Sequence, residues 1–290
     1  MDTLVSIYLP TRNRRALLER AVSSVLRQTY SPFELIVVDD GSTDDTSAYL
    51  AELVKSDARV TVLANPQSVG PSSCRNMAVR LARGVFVTGL DDDDEFTPDR
   101  IARFVTSWRE LSRDASGPFC LFSQSVFVSN GRRTVTRDRK DHVKFADLFQ
   151  HNYIGNQIFC ATSDLIQAGL FDDELKAWED LDLFMRLLMR LPEARLIDAA
   201  TYICDVSTNR DRISRNEPRI RRACEQISAK YPKMPPTAHQ GLFLQMFSDY
   251  HGIRPSPADY WRFLTWGFRL DGLLRMIRAS AKRLRAEVQT

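Results

Sequence analysis

Short apolar runs alternate with amphipathic segments along the N-terminal part of the chain. The apolar runs are rich in β-branched residues and predict buried strands at residues 4–9, 34–38, 60–63 and 85–90. Between them, apolar residues recur every three or four positions, which predicts helices at residues 17–26, 46–55 and 72–82. We place the end of the first strand at Pro10 and the N-cap of the third helix at Ser72 or Ser73. This alternation predicts an α/β fold with a mostly parallel central sheet flanked by helices.

The pattern becomes less regular after residue 98. It predicts helices at residues 98–111, 162–168 and 180–191, a strand at 120–128, and a mobile surface loop over the polar, basic segment 131–144. Beyond residue 218 the periodicity is helical, with breaks at the proline-containing segments 231–236 and 254–257. We therefore predict an α/β domain over residues 1–215 and a helical C-terminal extension over residues 216–290.

Composition narrows the class of protein without identifying it. Forty Lys and Arg residues against 37 Asp and Glu give a net charge of +3, too balanced to indicate a nucleic-acid partner. The five cysteines are scattered and include no Cys-x-x-Cys pair, so neither a disulfide framework nor a zinc site is predicted. The first residues lack the pattern of a signal peptide, and no apolar run approaches the roughly 20 residues that span a bilayer. These features predict a cytoplasmic protein, whose membrane contact would be peripheral, at the inner face of the plasma membrane.

Three polar clusters follow the predicted strands at the points where the strands end. They are Pro10-Thr11-Arg12-Asn13, Asp39-Asp40-Gly41-Ser42 and the acidic run Asp91-Asp92-Asp93-Asp94. Because ligands of open parallel sheets bind beyond the carboxyl ends of the strands, these clusters predict one acidic cleft. Mg²⁺ and Mn²⁺ prefer such oxygen ligands and keep room for phosphates. Each acidic cluster also has a simpler interpretation, as a solvated or helix-capping turn.

Three longer blocks of sequence occur in order along the chain. They read VSIYLPTRNRRALLERAVSSVLRQTYSPFELIVVDDGSTDDT, NPQSVGPSSCRNMAVRLARGVFVTGLDDDDEFTPDRI and FDDELKAWEDLDLFMRLL. The blocks resemble family 2 glycosyltransferases of the GT-A fold, with the family's Asp-x-Asp motif in the second block and its Glu-Asp pair in the third. The resemblance spans about residues 4–215 and implies a Rossmann-like catalytic domain there.

The resemblance also implies roles for residues that bind the donor. Pro10, Thr11 and Arg12 would border the nucleobase of a nucleotide sugar. Asp40 would accept a hydrogen bond from that base, typically uracil, and Arg75 would lie over the base or the ribose.

The carboxylates of the later blocks carry the remaining implied roles. Asp91 or Asp92 would contact the ribose and Asp93 would ligate Mn²⁺ or Mg²⁺, although four consecutive aspartates leave this register ambiguous by one residue. Asp180, with Glu179 beside it, would be the catalytic base.

One segment departs from the family's pattern. Many related enzymes place a histidine in the loop after the last core strand, but residues 205–214 contain none. Arg210, Arg212 and Ser214 could hold the donor diphosphate instead, because guanidinium groups suit phosphate geometry. The alternative interpretation is a solvated basic loop.

The resemblance implies an inverting glycosyltransferase. It would move a sugar from a nucleotide-diphosphate donor, a UDP-sugar, to a hydroxyl of a glycan or lipid-linked glycan during surface polysaccharide synthesis. A nucleotidyltransferase is one alternative, but it would carry a glycine-rich phosphate loop and residues 10–15 contain no glycine. A non-catalytic carbohydrate-binding or scaffold relative is a second alternative, which loss of the carboxylates named above would mark.

The C-terminal sequence predicts an amphipathic helix with a basic arc. Apolar residues recur at helical spacing over residues 263–284, and arginines and lysines occupy the other arc. Such a helix can lie on an anionic bilayer, or its apolar stripe can pack on the catalytic domain or on a second subunit of a homodimer. Gly267 and Gly272 weaken a single continuous helix.

Overall fold

The computed structural model describes residues 3–114, 117–129, 131–136, 139–206 and 216–287. The chain divides into two compact units, each built from several segments. The first comprises Met1–Lys144, Tyr153–Asp173 and Leu183–Asn209, and the second comprises Phe145–Asn152, Glu174–Asp182 and Arg210–Thr290. The division of the sequence after residue 215 stays a prediction.

The described strands and helices follow the alternation that the sequence predicts. The strands are β1 (Val5–Thr11), β2 (Phe33–Asp39), β3 (Val60–Ala64), β4 (Phe86–Gly89), β5 (Asp94–Phe96), β6 (Cys120–Ser129), β7 (Arg132–Val135), β8 (His142–Val143), β9 (Cys160–Ala161) and β10 (Ala194–Asp205). The helices are α1 (Arg15–Leu26), α2 (Thr46–Ser56), α3 (Pro71–Leu81), α4 (Arg100–Asp114), α5 (Thr162–Gln167), α6 (Glu179–Leu188), α7 (Glu217–Lys230), α8 (Pro236–Gln245), α9 (Pro257–Thr265) and α10 (Leu270–Glu287).

The first unit contains a sheet with the strand order β3-β2-β1-β4-β9. Strands β1 to β4 are parallel to one another, and β9 runs antiparallel to β4 at the edge. Helix α1 shows how the connecting helices cover this sheet, because Leu18, Ala21, Val22 and Val25 lie one helical turn apart and are all buried. This arrangement confirms the predicted α/β class and its mostly parallel sheet.

The first strand runs past Pro10, so the predicted end of this strand is wrong. Pro10 pairs with Val38 in the register of β1 and β2. Residues of a strand alternate in the neighbour to which they hydrogen bond. The Tyr8 carbonyl accepts the Leu90 N–H at 3.0 Å on the β4 side, and Pro10 faces the same side. Since β4 ends at Gly89, the sheet requires no N–H from Pro10.

The third helix begins earlier than predicted. Gly70 is its N-cap, with φ +94°, and Pro71 is its first residue, so neither Ser72 nor Ser73 caps it. Proline suits the first helical position because the N–H that it lacks would have no partner within the helix. The left-handed φ of Gly70 turns the chain into the helix at low steric cost.

A second sheet in the first unit has the order β5-β10-β6-β7, with β8 paired to β10. The sequence pattern does not predict β5, which begins at the last residue of the acidic run. It also does not predict the long β10, whose exposed Asp198 interrupts its apolar pattern. The loop predicted over residues 131–144 is also wrong, because its described part contains β7 and β8. All four residues of β7 are exposed, so this edge strand carries no hydrophobic periodicity.

The second unit is mainly helical, as predicted, and contains α7 to α10 and a short 3-10 helix at Phe145–Phe149. Both predicted breaks lie between helices. A third break falls at Gly267, which adopts φ +114° between α9 and α10. Among the described residues, no helix is long and apolar enough to cross a membrane.

Candidate functional site

The acidic run forms a tight turn between β4 and β5. The Asp94 N–H donates to the Asp91 carbonyl at 3.1 Å, and the Asp91 N–H donates to the buried Tyr202 hydroxyl at 3.3 Å. Tyr202 belongs to β10, which pairs with β5. The second sheet therefore holds the carboxylates at the carboxyl end of β4, where the sequence predicts a cleft.

The aspartates of this run have different environments. The side chain of Asp92 is only 7% exposed, and it accepts hydrogen bonds from the Thr11 hydroxyl at 2.8 Å and from Arg14 Nη1 at 2.9 Å. Burial raises the pKa of Asp92, and the charge of Arg14 opposes that rise. By contrast, the side chains of Asp91 and Asp93 are 22% and 32% exposed. Asp91 and Asp93 thus offer carboxylate oxygens to a ligand, while the Asp92 side chain faces inward.

The predicted residues Arg75 and Asp91 lie together. Arg75 Nη2 donates to Asp91 Oδ1 at 2.9 Å, and the guanidinium lies 5.3 Å from the centre of the Phe171 ring. Arg75 comes from the buried face of α3, so packing fixes the orientation of its side chain. The fixed Arg75 guanidinium beside the partly exposed Asp91 carboxylate suits the binding of a polar, charged ligand.

Gln157 and Tyr8 extend this network. Gln157 Nε2 donates to Asp91 Oδ1 at 3.4 Å, and the Tyr8 hydroxyl donates to Gln157 Oε1 at 3.0 Å. Gly89 at the end of β4 makes room for both side chains, because a Cβ there would lie 2.1 Å from Gln157 Oε1 and from Tyr8 Cε2. The position of the Asp91 carboxylate therefore depends on three residues that the sequence analysis does not single out.

Asp40 anchors the segment that precedes α3. Its Oδ1 accepts the Val69 N–H at 2.7 Å, and its Oδ2 accepts the Ser68 hydroxyl at 2.6 Å and the Gly70 N–H at 3.0 Å. Asn65 Nδ2 approaches Oδ1 at 3.3 Å. Burial favours a higher pKa for Asp40, but these hydrogen bonds stabilise the carboxylate and lower its pKa overall.

The first polar cluster lies beside the other two. Pro10 and Thr11 are buried at the end of β1, whereas Arg12 is exposed. Asn13 adopts the left-handed conformation, with φ +52°, and its Oδ1 accepts the Thr43 N–H at 2.7 Å. The structure thus brings the ends of β1, β2 and β4 together, as the sequence predicts.

Two arginines beside the acidic run are absent from the sequence prediction. Arg14 Nη1 contacts Asp93 Oδ2 at 3.3 Å as well as Asp92. Arg20 donates to the Asp93 carbonyl at 3.4 Å and pairs with Asp205 at 3.2 Å. Arg14 is the N-cap of α1 and Arg20 lies in the middle of the helix. The periodicity marks both only as polar, and no sequence signal indicates that α1 meets the acidic turn.

A buried cation lies behind the same turn. Arg100 is fully buried, donates to the hydroxyls of Ser123 and Thr201, and lies 5.2 Å from the centre of the Tyr202 ring. Burial lowers the pKa of Arg100 to about 9. The Arg100 side chain thus joins β6 and β10 through its two hydroxyl partners.

The donor set of the acidic turn fits a hard divalent cation. No group of three or more His, Cys, Asp or Glu side chains in the described part of the chain is arranged to hold a metal. Mg²⁺ and Mn²⁺, however, are often held by one or two carboxylates together with the phosphates of a substrate. The partly exposed Asp93 provides such a carboxylate.

The predicted catalytic residues belong to the second unit. Glu179 is the first residue of α6 and Asp180 lies in its first turn, so Asp180 is not the N-cap. Trp178 precedes them with φ +60°, an uncommon conformation for a bulky side chain, and its Nε1 donates to His251 Nε2 at 3.0 Å. The nearby Asp182 is fully buried and pairs with Lys230 at 2.7 Å. Asp182 therefore forms a structural ion pair, while the roles of Glu179 and Asp180 stay predictions.

Arg212, together with Arg210 and Ser214, lies outside the described residues. The predicted contact of Arg212 with a diphosphate stays a prediction.

Comparison with known proteins agrees with this geometry. The model of glycosyl transferase family 2 matches residues 6–173. The chain is 35% identical over 213 residues to the putative colanic acid biosynthesis glycosyl transferase WcaA of Escherichia coli, covering 71% of this chain and 74% of that protein. It is 29% identical over 171 residues to the GalNAc(5)-diNAcBac-PP-undecaprenol beta-1,3-glucosyltransferase of Campylobacter jejuni, covering 59% of this chain and 55% of that enzyme.

Solved structures show the same fold. Residues 1–349 of Staphylococcus aureus TarS, in complex with UDP-GlcNAc, superpose with a TM-score of 0.69 at 19% identity, covering 95% of this chain and 79% of that one. The mannosyltransferase PcManGT of Pyrobaculum calidifontis, in complex with GDP-Man and Mn²⁺, gives 0.61 at 19% identity, covering 97% of this chain and 80% of that one. These likenesses confirm the predicted GT-A architecture. With the family model matching more than half of its length and the three sequence blocks in place, the chain belongs to glycosyl transferase family 2.

Proposed function

We propose that this protein is an inverting glycosyltransferase. It transfers a sugar from a nucleoside-diphosphate donor, a UDP-sugar, to a hydroxyl of a glycan or lipid-linked glycan during surface polysaccharide synthesis. The observation that carries the proposal is the pair of partly exposed carboxylates, Asp91 and Asp93, beside the buried guanidinium of Arg75. The family resemblance assigns these three residues to the ribose, the divalent cation and the base or ribose of a nucleotide sugar.

The geometry of the acidic turn supports separate roles for its aspartates within the donor site. Because Asp92 is buried against Thr11 and Arg14, the outward-facing residues are Asp91 and Asp93, which have the spacing of the Asp-x-Asp motif. In this proposal Asp91 contacts the ribose and Arg75 fixes its orientation, while Asp92 fixes the backbone of the turn. Asp40 and the end of β1 hold the base.

Asp93 is the residue that would hold Mg²⁺ or Mn²⁺ with the donor diphosphate. When bound, the cation would neutralise the negative charge that develops on the leaving nucleoside diphosphate. Arg14 and Arg20 lie beside Asp93 and add positive charge to the same region. The complex of PcManGT with Mn²⁺ is consistent with this assignment.

Asp180 is the proposed general base. It removes the proton of the attacking hydroxyl, and attack from the face opposite the leaving group inverts the anomeric centre. Its place in the first turn of α6 favours the ionised carboxylate, because the helix dipole is positive there. The left-handed Trp178 fixes the chain immediately before Glu179 and Asp180.

Relatives favour a lipid-linked acceptor. The Campylobacter jejuni enzyme is named for an acceptor on undecaprenol diphosphate, and the Escherichia coli relative for colanic acid biosynthesis. A nucleotidyltransferase and a non-catalytic scaffold remain the alternatives, and the family match favours neither.

A panel of sugar nucleotides and nucleoside triphosphates, each with Mn²⁺, tests the proposal. We expect slow hydrolysis of one UDP-sugar and no turnover of a triphosphate. Asp180→Asn should keep the donor affinity and lower turnover roughly a hundredfold or more, because Asn is no proton acceptor. Glu179→Gln is the matched control in the adjacent position and should lose far less. Turnover of triphosphates alone would show a nucleotidyltransferase, and nucleotide binding without any turnover would show a scaffold.

A further inference from the structure

The C-terminal helices of the second unit expose a group of large apolar side chains. This group, here named the C-terminal apolar surface, comprises Trp261, Leu264, Phe268, Leu270, Leu274 and Ile277. The rings of Trp261 and Phe268 are each 73% exposed. Isolated apolar residues are normal on a protein surface, but six exposed ones on two consecutive helices and the turn between them indicate a binding surface.

Helix α10 separates its apolar residues into two arcs. Gly272 and Met276 are buried, and a Cβ on Gly272 would lie 2.3 Å from the Phe263 ring, so this arc packs closely within the unit. Leu270, Leu274 and Ile277 follow the i, i+4, i+7 spacing of a second stripe, which faces solvent. Over residues 270–281, packing in the unit therefore uses only one of the two apolar arcs, and the second is left for a partner.

Positive charge accompanies the exposed stripe. Arg275 and Arg278 are exposed on α10, and Arg278 lies beside the stripe, one helical turn after Leu274. Neither arginine forms an ion pair with any side chain that the structure describes. Residues 261–290 contain seven basic and two acidic residues, a net charge of +5. Because the whole chain carries +3, residues 1–260 carry −2. The excess positive charge of the protein is thus confined to the segment that holds the apolar surface.

We propose that the C-terminal apolar surface binds an anionic lipid bilayer from one side. Apolar side chains next to arginines match the boundary between acyl chains and anionic headgroups, and the long arginine side chains can reach the phosphates. The charge argues against a second copy of the chain as the partner. A two-fold dimer would bring the same patch against itself, and its like charges would repel. An anionic leaflet instead attracts each of these arginines.

Vesicle sedimentation with the full-length protein tests this proposal. We expect binding to vesicles of phosphatidylcholine mixed with anionic phosphatidylglycerol, and much weaker binding to vesicles of phosphatidylcholine alone. Trp261→Ser and Phe268→Ser should each weaken binding about tenfold or more, because each removes an aromatic side chain from the apolar phase. Arg275→Gln with Arg278→Gln should weaken it ~25-fold, since each cation near the leaflet contributes about fivefold.

Matched variants elsewhere provide the controls. Val85→Ser with Met189→Ser removes two exposed apolar side chains, and Arg27→Gln with Arg80→Gln removes two exposed charges, so both should keep wild-type binding. The substituted positions are exposed, and thermal unfolding should confirm an unchanged fold. Quenching of tryptophan fluorescence by brominated lipid should be lost in Trp261→Phe, which gives a readout of direct insertion.

Three outcomes would overturn the proposal. The first is an absence of wild-type binding to anionic vesicles. The second is equal loss of binding in the surface variants and their controls. The third is a dimer, seen by light scattering, that the Trp261 and Phe268 variants dissociate while vesicle binding persists. None of these outcomes depends on the transferase reaction, so they leave the proposed function to its own test.

Discussion

Replacing Asp40 by Asn should destabilise the first unit, because it changes the acceptor around which the segment before α3 is folded. Asn keeps the shape of the side chain but replaces one carboxylate oxygen by an NH₂ donor. If the amide oxygen keeps the Val69 N–H, the NH₂ group faces the Gly70 N–H, which now lies 3.0 Å from Oδ2. The Ser68 hydroxyl can rotate and accept a hydrogen bond from the new NH₂ group. The Gly70 N–H cannot, so this backbone donor loses its acceptor.

The magnitude follows from the bonds affected. A hydrogen bond to a charged group contributes about 1.5–3 kcal/mol and a neutral one about 0.5–1.5 kcal/mol. Weakening the bonds from Ser68 and Val69 to the neutral level costs about 1 kcal/mol each. Leaving the half-buried Gly70 N–H without its acceptor costs about 1 kcal/mol, the low end of the range for a buried group. We therefore expect the free energy of unfolding to fall by about 3 kcal/mol at pH 7.

The pH dependence provides a second check on the same residue. The folded-state pKa of Asp40 is lowered, so its carboxylate stabilises the protein above the unfolded pKa of about 3.9. This contribution is lost as the pH falls through the folded pKa. Because Asn resembles the protonated acid, the difference between wild type and Asp40→Asn should shrink below about pH 4.

Urea unfolding at pH 7 and pH 3, with hydrogen exchange at the Val69 and Gly70 amides, measures both effects. The exchange of these two amides should accelerate in the variant. Glu52→Gln is the control, since Glu52 forms an exposed pair with Lys55 and should change stability by less than about 0.5 kcal/mol. A similarly small effect for Asp40→Asn at pH 7, or an equal loss at both pH values, would refute the reasoning.

Three further predictions concern the acidic turn, its network and the C-terminal helices. Asp93→Ala should abolish the Mn²⁺-dependent part of UDP affinity without unfolding the protein, because its side chain is partly exposed; calorimetry with and without Mn²⁺ decides this. Gln157→Leu should raise the donor KM about tenfold, with a smaller change in kcat, because it removes a hydrogen bond to Asp91; an unchanged KM would contradict the positioning role. Gly272→Ala should lower the melting temperature, because overpacking against Phe263 costs about 1–3 kcal/mol and exceeds the helical gain of about 1 kcal/mol; a higher melting temperature would show that Phe263 moves aside.

The strands that were predicted correctly share a physical basis. Strands β1 to β4 carry their own apolar pattern, and parallel strands end at one edge of a sheet. The meeting of Arg75 with Asp91 could therefore be anticipated from the order of the elements and the family resemblance. The same logic places Thr11 and Asp40 beside them.

The features that were missed depend on contacts between distant segments. Arg14 reaches Asp92 because α1 approaches β5, and nothing in the local pattern of either segment records that approach. Gln157 lies in a polar stretch between elements, where periodicity carries no information. Strand β7 is exposed throughout, so backbone pairing with β6 forms it without any hydrophobic signal.

Gly89 couples two positions that are far apart in the sequence, so that the three residues must change together during evolution. Tyr8 and Gln157 fill the volume that a side chain at residue 89 would occupy. A larger residue at position 89 therefore requires smaller residues at positions 8 and 157. Such a change would also remove the hydrogen bonds that position the Asp91 side chain. Attempts to evolve a new donor preference should therefore randomise these three positions together, since a library that varies Gly89 alone would yield mainly inactive variants.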